Sequence, residues 1–482
     1  MTFISSKQTS TFLNASFFTS VFNLMNAILG AGIVSLPFAL SNLGYIFFGI
    51  LILIVAILAL YDISLLLHLC DRLDTTSYER IATLSFGKAG KIYTCLMIFL
   101  HTLFAICGFM FMVRYEGPPL IEGIINYEKT CSGSSSLDNL IDGDTKPWYL
   151  EGTYLVILTM VIIVMPLSIL KNIDFLGYTS GLSMLSMLVF MGVIVTYKFI
   201  ITCPVSAYEG AQDFFNKYEQ IESDPTCSVE NIFEDYAMEF YELASNQTCL
   251  AKAFNWNSNS AFALPTMLFA FQCHASFLPI YSEYSDNQSQ LNKNTSKISV
   301  FSGMIKVSVV AISAVLLIFC AVSYFAYFTW YDLTLEEVLM MYTSLDPTDP
   351  LIITARFGIL ICVILSAPLL HFPCRKAIIK LFWKDDVKFS WIRHISIMLA
   401  ILVVVTGLVI LLPGIQVIFG FAGAITANSL MIILPNLFYW KIFKNSERKW
   451  KICLSLGLAI IGVVIMVGNT ALLTWSAIVY GV

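Results

Sequence analysis

The sequence predicts an all-α polytopic membrane protein of eleven transmembrane helices. Three observations carry that expectation. The 482 residues are 58% hydrophobic and only 12% charged, a balance foreign to soluble domains of this length. Apolar tracts able to cross roughly 30 Å of hydrocarbon, at ~1.5 Å per residue, recur along the whole chain. The segments between them alternate in their content of Lys and Arg, as loops on the two sides of a membrane do.

The first tract, 20–42, contains FNLMNAILGAGIVSLPFA, with Gly30 and Gly32 in its middle and Pro37 near its end. Freed backbone groups cost several kcal/mol in lipid unless protein, water or ligand satisfies them, so a break here points to a binding site. Close helix packing by small residues is the alternative, but it favours a four-residue spacing and these glycines stand two apart. The tract is too long for a signal-peptide core and lacks a small-residue cleavage site behind it. It reads as a retained span.

The second tract, 45–70, holds Asp62, which is either a snorkelling interface group or a buried proton site. Tracts at 92–114, 149–170 and 174–198 complete a first set of five. The sixth, 261–282, is bracketed by Pro265 and Pro279 and carries Gln272, Cys273 and His274 together at its centre. Proline removes a backbone donor, and a polar cluster at mid-depth is costly unless it faces the bundle interior. Span six therefore also reads as broken. His274 reads as a hydrogen-bonded core residue, with a proton relay or gate as the alternative. Tracts at 300–328, 351–374, 391–412 and 415–440 complete a second five, and 452–478 is the eleventh.

With the amino terminus inside, the inner loops hold Arg72, Arg80, Lys88, Lys91, Arg375, Lys376, Lys380, Lys441, Lys444 and Arg448. The outer ones hold chiefly Lys129, Lys146, Lys217 and Lys252, and the carboxyl terminus falls outside. The net charge of −5 implies no nucleic-acid partner. A large loop at 199–260 and a smaller one before span four face out, and they contain Cys131, Cys203, Cys227 and Cys249. Disulfides persist on that oxidising side, but four cysteines allow three pairings. Asn246 begins a glycosylation sequon on the same side. No metal-ligand spacing, nucleophile–base arrangement or phosphate loop appears, so an enzyme is not expected.

Several long motifs resemble the sodium-coupled neutral amino acid transporters, within the amino acid and auxin permease group. They are FNLMNAILGAGI, SYER followed by FGKAGK, FLGYTSGLS, ALPTMLFAFQCHASFLPIY, LSAPLLHFPCRKA and FSWIRH, in the same order and spread over nearly the whole chain. The resemblance implies a five-plus-five inverted-repeat core of the bacterial sodium-coupled leucine transporter type. Its first repeat would be 20–198 and its second 261–440, with 1–19 a short cytosolic terminus and 452–478 an appended helix. All belong to one membrane domain, 1–482. The same resemblance makes Asn26 and Ser366 sodium ligands, with backbone oxygen near Ile28. It makes Leu29, Gly30, Ala31, Gly32, Phe271, Gln272 and Cys273 the substrate site, with backbone amides at a half-helix start meeting the carboxylate. Gln272 and its neighbours would receive the amino group and side chain. It also favours a Cys203–Cys249 disulfide.

The chain departs from the family where Gly-Ser-Gly in span one becomes Gly-Ala-Gly at Ala31, and where Ser366 replaces a threonine. Pro37 is closer to the proton-coupled branch. The expectation is sodium-coupled symport of small neutral amino acids, glutamine-like or alanine-like, at the plasma membrane, with sodium as coupling ion and no other cofactor. The alternatives are a proton-coupled exporter in an endolysosomal membrane and a non-transporting amino acid sensor. The oligomeric state is not readable from the sequence.

Overall fold

The computed structural model describes residues 17–30, 32–132, 147–169, 176–201, 249–257, 259–291, 297–343, 349–383, 389–412 and 414–480. Ala31, Cys203, Cys227 and Asn246 lie outside them, and the Cys131 side chain is not described. The described residues are nearly all helical, without strands. Ten helices are long and apolar enough to cross a membrane, and a bent pair brings the number to eleven.

Span one is that pair. Helices α1 (Phe17–Ile28) and α2 (Gly32–Leu43) meet at 57°. The amide of Leu29 still reaches the Met25 carbonyl at 2.7 Å, after which the Ile33 amide reaches only Gly30, at 3.3 Å. A turn at Gly44, with φ +83°, leads into α3 (Tyr45–Leu73). The amides of Tyr45 and Ile46 there bond the carbonyls of Lys252 and Ala253, so the end of the large loop caps this helix start.

Helix α4 (Tyr78–Ser132) overruns the expected 92–114 at both ends. Phe86 and Gly87 leave helical geometry, Gly87 at φ +64°, so a short helix at the basic end is joined through a kink to the spanning one. Helices α5 (Gly152–Ile169), with a π turn at Met160–Val164, and α6 (Leu176–Ile200) follow.

Span six is interrupted as the sequence predicts. Helix α7 (Ser260–Ala270) ends where the Phe271 and Gln272 amides turn back to Met267 and Phe269. Helix α8 (His274–Leu291) restarts at once, the Phe277 amide bonding Cys273 at 2.8 Å. The remaining elements are α9 (Lys297–Trp330), the short α10 (Val338–Thr343), α11 (Pro350–Phe382), α12 (Trp391–Leu411), α13 (Ile415–Phe443) and α14 (Lys449–Tyr480).

Helix α11 packs along both α4 and α6, and α2 packs against α7. The two broken spans therefore touch each other inside a cage of unbroken ones. Ile57, Leu317, Val403 and Val464 are exposed, while Asn26, Asp62, Glu116, Arg356 and Asn436 are buried. That inversion of the soluble pattern suits an apolar solvent, in which polar groups must find their partners within the bundle. Helix α14 lies at the margin against α13 and buries little of itself.

Asp62 is fully buried rather than snorkelling. Its Oδ1 accepts from Asn436 Nδ2 of α13 at 2.7 Å, and Asn436 also donates to the Ile432 carbonyl at 2.8 Å. The amide orients the acid toward α13.

Candidate functional site

A cavity of about 870 Å³ lies between the breaks of spans one and six, within the ~300–1,000 Å³ of ordinary ligand pockets. Asn26, Ile28, Gly30, Gly32, Gln272, Cys273 and Ser366 all border it. From there it runs past Ser276 and Leu370 to Ser77, Glu79, Lys376 and Lys380. Its mouth is thus at the basic end of the bundle. There Lys380 Nζ meets Glu79 Oε2 at 2.8 Å and Ser77 Oγ at 3.0 Å.

Two expected site residues are not at the cavity. Leu29 is buried at the last turn of α1, and Phe271 is turned into the packing, edge-on to Phe319 of α9 at 5.2 Å. Each sits beside a break, where helical phase decides which side chain faces inward. Ala31 falls outside the described residues.

Helix α6 supplies a pair that the sequence reading did not single out. Asn26 Nδ2 donates to Ser180 Oγ at 3.3 Å, and Ser183 Oγ lies 3.4 Å from Ser366 Oγ and from the Cys362 carbonyl. Ser180 and Ser183 stand three residues apart and so share one face of α6, linking span one to span eight. The FLGYTSGLS motif carries both, and their spacing was the available signal. Carboxamide, hydroxyl and carbonyl oxygens of this kind are the hard donors that suit an alkali cation.

At the other wall, Gln272 Oε1 accepts from the His274 amide at 2.6 Å and faces His274 Nδ1 at 3.2 Å. An amide nitrogen can only donate, so the Gln272 orientation is fixed by its neighbour. Gln272 thereby caps the start of α8. Its remaining polar atom, Nε2, makes no protein hydrogen bond and is a donor, fit for a carboxylate or carbonyl oxygen rather than for an ammonium group. His274 is fully buried behind it, and His101 of α4 borders the cavity while facing Thr426 Oγ1 at 3.2 Å.

Glycine is required where the broken spans touch. A Cβ on Gly32 would lie 2.9 Å from Ala270 Cβ and 3.0 Å from its Cα, and one on Gly30 would lie 3.0 Å from the Phe109 ring.

The opposite end is sealed. Asn257 Nδ2 donates to Asn42 Oδ1, Ser260 Oγ to the Asn42 carbonyl and Asn255 Nδ2 to the Ser41 carbonyl, each at 2.7 Å. Nearby, Arg356 Nε donates to Glu116 Oε2 at 2.7 Å, with both side chains wholly buried. The arrangement is a polar chamber at mid-bundle, open at one end and shut at the other. Cys249 is disulfide-bonded to a partner outside the described residues, and no group of His, Cys, Asp and Glu among the described residues could hold a metal ion.

Known proteins resemble the chain in the same sense. It is 34% identical over 485 residues to human sodium-coupled neutral amino acid transporter 4, covering 95% of this chain and 84% of that protein. The rat protein of the same name is 33% identical with the same coverage. Among solved structures, a mutant manganese transporter from Eremococcus coleocola aligns over 97% of this chain and 95% of that one, at 13% identity and a TM-score of 0.39. The family described as transmembrane amino acid transporter protein matches residues 14–479. Chamber, broken spans and family match agree: the chain belongs to the transmembrane amino acid transporter family.

Proposed function

We propose that this protein is a sodium-coupled symporter of small neutral amino acids that works by alternating access, described here in a state open to the cytosol. The observation that carries the reading is the chamber itself. It joins two interrupted spans, is bordered by oxygen donors of spans one and eight, and, among the described residues, opens toward the end rich in Lys and Arg. Ion and substrate bound together would favour closure of that mouth and opening of the opposite end, which neither ligand achieves alone. In this reading Asn26, Ser366 and Ser183 hold sodium, with carbonyl oxygen near Ile28. The substrate carboxylate meets the amino-terminal amides of α2. The Gln272 amide faces an acceptor oxygen of the substrate.

Names of relatives support sodium and neutral amino acids. The positive-inside pattern supports a cytosolic amino terminus and an extracellular carboxyl terminus, and hence a glycan on Asn246 outside; the family resemblance favours a Cys203–Cys249 disulfide on that oxidising side. The two interruptions, five spans apart, support the five-plus-five repeat of the leucine-transporter type. Residence in the plasma membrane completes the proposal.

Burial of Asp62 favours a second reading, proton coupling. Uptake of labelled alanine and glutamine into proteoliposomes, with sodium or proton gradients imposed separately, decides between them. Sodium-driven flux abolished in Asn26→Ala and Ser366→Ala supports the first reading. Proton-driven flux indifferent to both, and lost in Asp62→Asn, supports the second. Substrate binding without flux would make the chain a sensor.

A further inference from the structure

At the sealed end two buried carboxyl groups share one buried guanidinium. Glu116 comes from α4, Arg356 from α11, and Glu337 from the segment leading into α10; all three are buried. Arg356 Nε holds Glu116 Oε2 at 2.7 Å, and Arg356 Nη2 donates to the Leu339 carbonyl at 3.4 Å. Glu116 Oε1 and both carboxylate oxygens of Glu337 accept no hydrogen bond from any donor among the described residues. Yet the two carboxyl groups lie within hydrogen-bonding reach of each other.

Ionised carboxylates only accept, so a bond between two of them requires a proton on one. Like charges at such a distance in a dry site cannot both persist. The described residues around them supply no other compensation. Helix α10 packs against α2, α4 and α11. Helix α2 has no ionisable residue, α4 presents Glu116, and α11 presents Arg356. Glu336, beside Glu337 in the chain, adds a further negative neighbour. Other charges at this end are engaged elsewhere: Lys252 with Asp332, Asp349 with the Leu351 amide and Tyr197, and Arg114 with the Val409 carbonyl.

We infer that Glu116 and Glu337 form a binding site for one proton that latches the outer end of the bundle, with Glu337 donating to Glu116 while Arg356 holds the other Glu116 oxygen. The latch joins three separate elements, so opening this end to water must break it. Burial pushes the Glu337 carboxyl well above the usual carboxylate range, reinforced by Glu116 and opposed by Arg356. The sign follows. The latched state binds a proton that the water-exposed state releases, so latching is complete at low external pH and is lost as pH rises toward the raised value. One proton changes the ratio of latched to unlatched molecules by up to about tenfold per pH unit.

The inference rests on the transport reading for naming this end the outer gate, and two readouts separate their failures. The first is amino acid uptake against external pH in the full chain and in Glu337→Gln, Glu337→Asp and Glu116→Gln. Uptake by the unaltered protein should fall toward acid pH. Glu337→Gln, whose amide donates to Glu116 at every pH, should be slow and pH-independent; Glu337→Asp should keep a slope, and Glu116→Gln should lose it. The second readout needs no flux. In a Ser276→Cys background, labelling by an impermeant thiol reagent from the outer side is compared between Glu337 and Glu337→Gln at matched pH, so that ionisation of the thiol itself cancels. Labelling should be several-fold faster with Glu337 at alkaline pH and equal at acid pH. Equal labelling throughout overturns the latch, as does a dependence on external sodium or calcium at fixed pH in place of protons. Absence of uptake with a pH-sensitive labelling difference would sink the transport reading and leave the proton site standing. Should Glu337→Gln fail to reach the membrane, Glu337→Asp and Glu116→Gln carry both readouts.

Discussion

At Gly32 the second half of span one passes so close to span six that a methyl group has no room: the added carbon would sit 3.0 Å from the Ala270 Cα. Backbone cannot swing aside as a side chain can, so Gly32→Ala must separate α2 from α7. The expected loss is about 1–3 kcal/mol, read as a lower melting temperature in detergent, together with a weaker shift on adding substrate. Gly30→Ala should be milder, because its added carbon meets the rim of the Phe109 ring, which can rotate. Ser183→Ala removes a hydroxyl beside Ser366 and should weaken apparent sodium affinity about tenfold, the equivalent of ~1.4 kcal/mol, while leaving the melting temperature nearly unchanged. A sodium titration of uptake checks it, and an unaltered half-saturation would remove Ser183 from the proposed ion site. Of the residues lining the cavity, Gly30, Gly32 and Gln272 were legible because they interrupt apolar tracts, whereas Asn26 and Ser366 were named only through the family resemblance. The Leu29 and Phe271 side chains point away from the cavity because the phase of a helix beside a break is set by packing and not by residue type; for Leu29 the expectation concerned the backbone. Ser180 and Ser183 escaped notice because a serine in a span commonly bonds its own backbone.

Among the elements, spans six and ten differ in how plainly they announce themselves. The interruption of span six is visible in Gln272-Cys273-His274, although the capping role of Gln272 is not, since it depends on a side chain folding back to the His274 amide. Gln272→Ala removes that cap and should cost about 0.5–2 kcal/mol, whereas Gln272→Glu keeps an acceptor oxygen and should recover part of the loss in the same melting experiment. Span ten reads as an unbroken tract, yet α13 contains π segments at Ala422–Ala427 and Ser429–Ile433. Wide turns of this kind add a residue without changing polarity, so no apolar pattern records them. Their consequence is steric. A Cβ on Gly423 would lie 1.9 Å from the Pro265 carbonyl oxygen, closer than any contact at Gly32. Gly423→Ala should therefore exceed the ~1–3 kcal/mol of ordinary overpacking and reduce the yield of monodisperse protein on size exclusion; normal yield and melting would show that α13 can slide away from α7.

Across the whole molecule, the asymmetry between the two ends is what ties architecture to transport. The apolar tracts gave the spans and the Lys and Arg distribution supports an orientation, but which end is open could not be read, because a sequence does not record which of several packings its helices adopt. In the structure Ser276 borders a cavity reaching Lys376 and Lys380, while Asn42, Asn257 and Ser260 close the far side, the asymmetry that the proposed cycle requires of any one state. The Glu79–Lys380 pair at the mouth is partly exposed, with side-chain exposures of 12% and 21%. At such a site an ion pair contributes at most about 1 kcal/mol, too little to hold a gate alone. The sealed end relies instead on three hydrogen bonds, that of Ser260 buried, joining the tip of α2 to the start of α7 and the residues before it. A Ser276→Cys variant turns this difference into a measurement. Without sodium, an impermeant thiol reagent should reach it at least about tenfold faster from the basic side than from the other, a bias of ~1.4 kcal/mol or more. Adding sodium should narrow that ratio by drawing molecules into the opposite state, since a ligand shifts a conformational equilibrium only by its differential affinity for the two states. A ratio near one without sodium would mean that the closed end breathes freely, and an unchanged ratio with sodium would mean that the ion does not distinguish the states and cannot drive the cycle.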